Sequence, residues 1–343
     1  MLRSCLATFL LALAACGGKS KPSDTTIPES KLDSAAPTEV EDAPAGSGGA
    51  GEAPAGAGGG SQEELREQPT TPPPPVEVTI EASKATIKLL APGSGKRAPL
   101  RLAPASGASQ LVDLVMDAVI EQTPAGGSVE KVTMPTVVLT GKGDVKTLAT
   151  DGVITYQTSI TGVDAREAVG QSVAPQAIKA QLTSLVGMVI DGTLSAAALP
   201  GATKYTVATP NESTVGAIES VRLMLPTWLP LPTEPVALGA RWEVSQPVEI
   251  NNISTVQVTT FTLRGRTGTT MTIAGETKVV GLDQKLGDVQ VSDISGQGTV
   301  ELVVDTAKLY PRMKRTVSTK MRLRQGAEDV TVMMQLGSAF APK

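Results

Sequence analysis

The 343-residue chain contains no histidine. That absence removes histidine-dependent catalytic triads, imidazole general bases, His-ligated zinc or haem, and the usual switch near neutral pH. Aromatic residues make up only 2% and the net charge is −4, so the chain has neither the stacking platforms nor the basic footprint that nucleic-acid binding needs. Cysteine is almost absent as well: only Cys5 and Cys16 occur, both near the start. No disulfide framework is available, and the fold must rest on its core.

What is present begins with a leader. Arg3 supplies a short positive region, and Leu6 to Ala15 form an apolar stretch of ten residues, too short to span a bilayer and of the size of an export signal. The stretch Leu13-Ala14-Ala15-Cys16, followed by Gly17, resembles the lipobox of bacterial lipoproteins. The resemblance implies removal of residues 1–15, acylation of Cys16, and attachment to a membrane through the lipid. It also implies the outer membrane, because Gly17 and not aspartate follows the cysteine, with the protein facing the periplasm or the cell surface. Two or three acyl chains make such attachment effectively permanent, since each buried CH₂ contributes about 0.8 kcal/mol.

Residues 16–75 read as a tether of Gly, Ala, Pro, Ser and acidic residues with no hydrophobic period, ending in Pro72 to Pro75. Beyond Cys16 they carry 4 basic and 10 acidic side chains, against 25 and 24 in residues 76–343. Such a segment cannot offset its ordering entropy by burial. As a flexible coil it would span roughly 40–45 Å, enough to hold a domain off the membrane.

From Val76 onward the pattern changes to short runs rich in Val, Ile, Leu and Thr separated by turn dipeptides, which predicts a mainly β domain over 76–343. Asp151-Gly152 lies between two such runs and is a strong hairpin signal. Asn251-Asn252, Gly265 to Gly268, Gly287-Asp288 and Gln325-Gly326 mark further reversals, with strands expected at about 240–250, 253–264, 268–280, 289–305, 311–324 and 328–337. Successive reversals at this spacing predict an antiparallel meander, a large curved sheet forming an incomplete barrel. In the strand Arg312–Arg324 the even positions are basic or hydroxylated and the odd ones include Met313, Val317, Met321 and Leu323. One face is wet and the other packs. The basic face is read either as a contact for anionic lipid or glycan, or as a solvated face partly paired with acids such as Glu301 and Asp305.

Two amphipathic helices interrupt the strands. One starts at Pro175 and carries Ile178, Leu182, Leu185 and Val186; the other follows Asn211 with Ala217, Val221, Met224 and Leu225 on one stripe and stops at Pro226. Both are expected to pack on the sheet. The stretch from Pro226 through Trp228, Pro230 and Pro232 to Pro235 is held extended by its prolines. It is read either as a rim over a cavity or as a stiff crossover between two halves of the sheet.

Motifs that bear chemistry fail on inspection. Gly93-Ser94-Gly95-Lys96-Arg97 has the wrong spacing for a phosphate loop, and Arg97 stands where the magnesium-binding Ser or Thr belongs. Ser128 and Lys131 have the spacing of an acyl-transfer dyad without its partner motifs. Asp113 and Asp117 share a strand face that reads as solvated. No cofactor or metal site and no enzymatic activity is expected. The core is rich in methionine and poor in rings, a composition that adapts to varied apolar partners.

An exported meander with two helices is similar in architecture to the incomplete-barrel lipoproteins and carriers of the LolA, LolB and LppX kind, whose curved sheet holds acyl chains under helical lids. That resemblance implies a lipid or acyl ligand, with Leu182, Val221, Met224 and Trp228 the candidate lining. The alternative is a tethered module that binds an envelope protein or serves envelope structure. A hydrolase ranks far below both, since no nucleophile has a visible base.

The lipobox generates the first prediction. Cys16→Ser should release the protein from membranes, and membrane fractionation checks it: a variant that still pellets after a high-salt wash contradicts the anchor.

Overall fold

The computed structural model describes residues 74–212, 214–224, 229–250 and 252–343. The leader, Cys16, the tether as far as residue 73 and Trp228 lie outside the described residues, as does the side chain of Met224. The first half of the domain contains β1 (Val76–Ile80), β2 (Thr86–Ala91), β3 (Ser94–Ala98), β4 (Ser109–Pro124), β5 (Glu130–Thr133), β6 (Thr136–Leu148) and β7 (Ile154–Arg166). Helix α1 (Pro175–Leu182), a 3₁₀ turn (Thr183–Leu185), β8 (Val189–Leu194), β9 (Pro200–Val207) and helix α2 (Thr214–Met224) follow. The second half is β10 (Val236–Leu238), β11 (Arg241–Ile250), β12 (Ile253–Thr267), β13 (Thr270–Gly281), β14 (Gln284–Leu286), β15 (Val289–Asp305), β16 (Arg312–Gln325) and β17 (Glu328–Pro342).

Fifteen of these strands form one sheet, ordered β1-β9-β8-β7-β6-β4-β17-β16-β15-β13-β12-β11-β2, with β5 added beside β4 and β14 beside β15. It consists of two meanders. The expected one, β11 to β17, joins a second, β4 to β9, through an antiparallel pairing of β17 with β4 that runs from Val330↔Pro124 to Pro342↔Val112. The Asp151-Gly152 reversal is present between β6 and β7 but is wider than a two-residue loop. Ala149 N–H donates to the Val153 carbonyl at 2.8 Å, and the Asp151 carboxylate accepts from Val153 N–H at 3.1 Å.

The sheet must be strongly curled, because its two edges are consecutive in the chain. Thirteen strands laid flat would separate β1 from β2 by about 57 Å, whereas the six Cα steps from Ile80 to Thr86 reach at most about 20 Å. The gap is narrower still, since Ser83 N–H donates to the Pro200 carbonyl at 3.0 Å and so continues the β1–β9 ladder. Every pairing along the path is antiparallel, so β1 and β2 run in the same sense. Residues 76–91 thus climb one edge of the sheet and continue up the other, and the barrel is closed by covalent chain and not by a hydrogen-bond ladder.

Most of the concave side is filled. Leu100 and Leu102, Leu229 and Leu231, and Leu309 and Tyr310 enter it from loops and join strand residues such as Leu114, Ile154, Ile190 and Ile273 in the main core. Helix α1 packs on β6 and β7, while α2 stacks chiefly on α1 and the 3₁₀ turn; Ala217, Ile218 and Val221 of α2 belong to the same core. A second, smaller cluster around Ile120, Val291, Leu323, Val330 and Val332 closes the other end of the barrel. The proline-rich stretch is a crossover, as it carries the chain from α2, which follows β9, to β11. Its residues Leu229 to Pro232 run buried through the interior. Leu231 N–H donates to the Ala197 carbonyl at 2.8 Å, and the indole N–H of fully buried Trp242 donates to the Pro230 carbonyl at 3.0 Å. Trp242 also stacks on Phe261, with ring centroids 5.7 Å apart.

Tyr310 shows how tightly the loops fit. Its ring meets Phe340 edge-on at 5.0 Å and its hydroxyl bonds Thr158, while Gln110 accepts from its N–H at 2.9 Å and donates to its carbonyl at 3.1 Å. A Cβ at Gly143 would lie 2.3 Å from that ring. Gly143→Ala should therefore destabilise the domain by about 1–3 kcal/mol through overpacking. Gly216→Ala on α2, where a Cβ meets nothing within 4 Å, should stabilise it by up to about 1 kcal/mol through helix propensity. Thermal or urea denaturation of the two variants measures the opposite signs.

Candidate functional site

Inside the barrel, between the two apolar clusters, the inward rows of β11, β12, β13, β15 and β16 change character. Cross-strand register places Gln246 beside Gln257, Thr259 beside Thr277 and Val300 beside Arg315. These side chains border a cavity of about 40 Å³, on a measure by which one water needs about 10–15 Å³. One flank is apolar, formed by Leu229, Val244, Phe261, Val300, Leu302 and Met313. The other is the polar belt of Gln246, Gln257, Thr259, Thr277 and Arg315. The cavity is partly open to solvent.

Arg315 is the unusual member. It occupies an odd position of β16, between Met313 and Val317, on the face that packs. Its guanidinium reaches past β15 and β13 to β12, where one Nη2 hydrogen is donated to Gln257 Oε1 at 2.7 Å. The residue keeps some exposed surface, but its charge is buried deeply enough that desolvation lowers its pKa from the ordinary guanidinium value. Among the described residues no carboxylate lies within ion-pair distance of it: the pairs formed by Lys131, Lys142, Arg166, Lys179, Lys204, Arg222, Arg322, Arg324 and Lys343 use other acids. A buried charge ordinarily requires a counter-charge or a full set of hydrogen bonds. Among the described residues one neutral acceptor is provided.

Three further belt residues are linked in a chain of hydrogen bonds. Because arginine only donates, Gln257 must turn its oxygen to Arg315, and its Nε2 then donates to Thr259 Oγ1 at 3.4 Å. Thr259 and Thr277, both buried, share a hydrogen bond of 3.0 Å between their hydroxyls. Two hydroxyl hydrogens serve one bond, so one is left over whichever group donates. The belt presents guanidinium N–H groups and a hydroxyl to the cavity, beside the side-chain amide of Gln246.

The residues named from sequence lie elsewhere. Leu182 and Val221 are buried in the main core, Val221 completely, and neither borders this cavity; Met224's side chain and Trp228 lie outside the described residues. The basic face of β16 is solvated and partly paired, through Arg322 and Arg324, with an acid not anticipated. Arg322 grips Asp329 of β17 with two bonds, at 2.7 and 2.5 Å, and Arg324 adds a third contact at 3.2 Å. Glu301 stands opposite Lys314 in register, while the Asp305 carboxylate accepts from Ala307 N–H. Asp113 accepts from Thr140 and pairs with Lys343, both at 2.9 Å, and Asp117 accepts from Thr136; both lie on the outer face. Ser128 lies in the loop between β4 and β5, while Lys131 pairs with Glu121 at 3.8 Å. Gly93 leads into β3, which pairs with β10 in a separate two-stranded ribbon. What sequence reasoning missed is Arg315, and the signal was available: the alternation that placed Met313, Val317 and Leu323 on the packed face places Arg315 there too.

No family model and no curated protein matches this chain. Among solved structures, the crystal structure of Pseudomonas aeruginosa OccK11 (OpdR) aligns over 71% of this chain and all of its own, at 9% identity and a TM-score of 0.19. Likeness at that level carries no argument.

The Asp329 clamp yields a direct measurement. Hydrogen bonds from Arg322, reinforced by Arg324, lower the carboxyl pKa to about 2 from an ordinary 3.8. The depressed value means that any stabilisation by the clamp is full above the ordinary carboxyl range and is lost as the pH falls toward 2. An NMR titration should place the Asp329 midpoint near 2, and Arg322→Ala should raise it toward the ordinary value.

Proposed function

We propose that the protein is a non-catalytic envelope lipoprotein, held at the outer membrane through acylated Cys16, whose domain binds a hydrophobic or amphiphilic ligand inside its curled sheet. The observation that carries this reading is the cavity between β11 and β16, with an apolar flank and a polar belt that ends in an under-partnered guanidinium. The lipobox and the acidic, proline-rich tether support the location. The antiparallel sheet closed only by residues 81–85 is the architecture expected of an incomplete-barrel carrier. The ligand-binding residues on this reading are those of the belt and its apolar flank, while Leu182 and Val221 serve the core.

A second reading rests on a different observation. On the outer face Pro247, Val256 and Val280 stand in register across β11, β12 and β13. They are exposed with neighbouring Leu282, which is 83% exposed. Such a stripe favours an interaction module that docks on an envelope protein.

Solvent extraction of the full-length protein, purified from membranes in mild detergent, followed by mass spectrometry separates the two. A stoichiometric apolar or amphiphilic small molecule supports the carrier. An extract without one, together with a protein partner cross-linked through residues 247–282, supports the module.

A further inference from the structure

We infer that the polar belt inside the barrel is a binding site for a single carboxylate, held by Arg315 with help from the spare hydroxyl of Thr259 or Thr277, with the ligand's apolar portion against Phe261, Val300 and Met313. The inference rests on the reading of the cavity as a ligand site and adds to it the chemistry of the head group.

Three observations point the same way. The guanidinium has five N–H donors and one acceptor within the described surroundings, Gln257 Oε1, so most of its donors are free to turn to the cavity it borders. The remaining belt offers a hydroxyl hydrogen that the single Thr259–Thr277 bond does not use, with the Gln246 amide beside it. A cationic group with unmatched donors selects an anion. The third observation is charge. Among the described lining residues Arg315 is the only cation, and its planar fork matches a monoanion that accepts two parallel N–H bonds from a guanidinium. A tetrahedral dianion such as a phosphate monoester would leave a charge uncompensated in a desolvated site. The apolar flank on the opposite side then selects for a carboxylate that carries hydrocarbon.

The test uses the full-length protein in detergent micelles and ¹³C-carboxyl-labelled octanoate, with octanol and octyl phosphate as the uncharged and dianionic counterparts. Octanoate should bind at least tenfold more tightly than either counterpart, and Arg315→Met should weaken it by about tenfold or more, the loss expected for charge-assisted hydrogen bonds. Arg315→Lys should fall between, since it keeps the charge without the fork. A second measurement needs no variant. The carboxyl resonance of bound octanoate should titrate at lower pH than that of the free probe, because a neighbouring guanidinium favours the ionised form.

Equal binding of octanoate and octanol, or a bound carboxyl that titrates at or above the free value, would overturn the assignment. So would undiminished binding to a folded Arg315→Met variant. Preference for octyl phosphate would overturn it in favour of a phosphorylated head group. Recovery of an uncharged lipid in the extraction experiment alongside these results would leave the carrier reading standing without the carboxylate site. Tight octanoate binding lost in Arg315→Met with no lipid extracted would establish the site while the carrier of membrane lipid falls.

Discussion

Closure of the barrel by covalent chain is the constraint on which the rest of this structure depends. Residues 76–91 pair first with β9 and then with β11, and only Lys84 and Ala85 lie between Ser83, bonded to Pro200, and Thr86, opposite Ser245. Strands at the two ends of a thirteen-strand path are thereby held within about 10 Å of the bridging chain. A sheet so held cannot flatten, and its inner face becomes an interior. The ends of that interior are then stopped by whatever the loops supply: Leu100, Leu231, Leu309 and Tyr310 at one end, the cluster of Ile120, Leu323 and Val332 at the other.

Curvature also explains how Arg315 meets Gln257. The two sit on strands three positions apart, a separation of about 14 Å on a flat sheet, yet their side chains are within 2.7 Å. The chord across the curl is shorter than the path along it. The same geometry sets Phe261 and Trp242 of adjacent strands face to face and lets the Pro230 carbonyl find the indole N–H. Among the described residues Ser184 Oγ is the buried side-chain polar atom without a hydrogen-bond partner. Arg315 stands out for a different reason: its charge meets one neutral acceptor and, among the described residues, no carboxylate.

The outer surface follows simpler rules. Asp329 of β17 matches Arg322 and Arg324 of β16, and Lys204 meets Glu77 at 2.7 Å where β1 lies along β9. Solvent screens such exposed pairs, so they fix register more than they add stability. The apolar stripe at Val256, Val280 and Leu282 is the departure from that pattern.

Local chemistry alone made several features legible. Period-two alternation with turn residues located β11, β12, β13, β15 and β16 nearly to their ends, because a strand with one wet face writes its orientation into every second residue. Pro175 marked the start of α1 and the stripe through Ala217 and Val221 marked α2, since a helix with one buried face repeats at its own period. The expected leader and lipobox are likewise read from contiguous residues. The tertiary structure decided what depends on residues far apart in the chain: the pairing of β17 with β4, the seam at 81–85, and the burial of Leu229 to Pro232 instead of their exposure at a rim. It also moved the candidate site from Leu182 and Val221 to the belt around Arg315. Alternation could place Arg315 on the packed face, but only the fold brings Gln257, Thr259 and Thr277 to it and leaves every acidic side chain on the described strands beyond its reach.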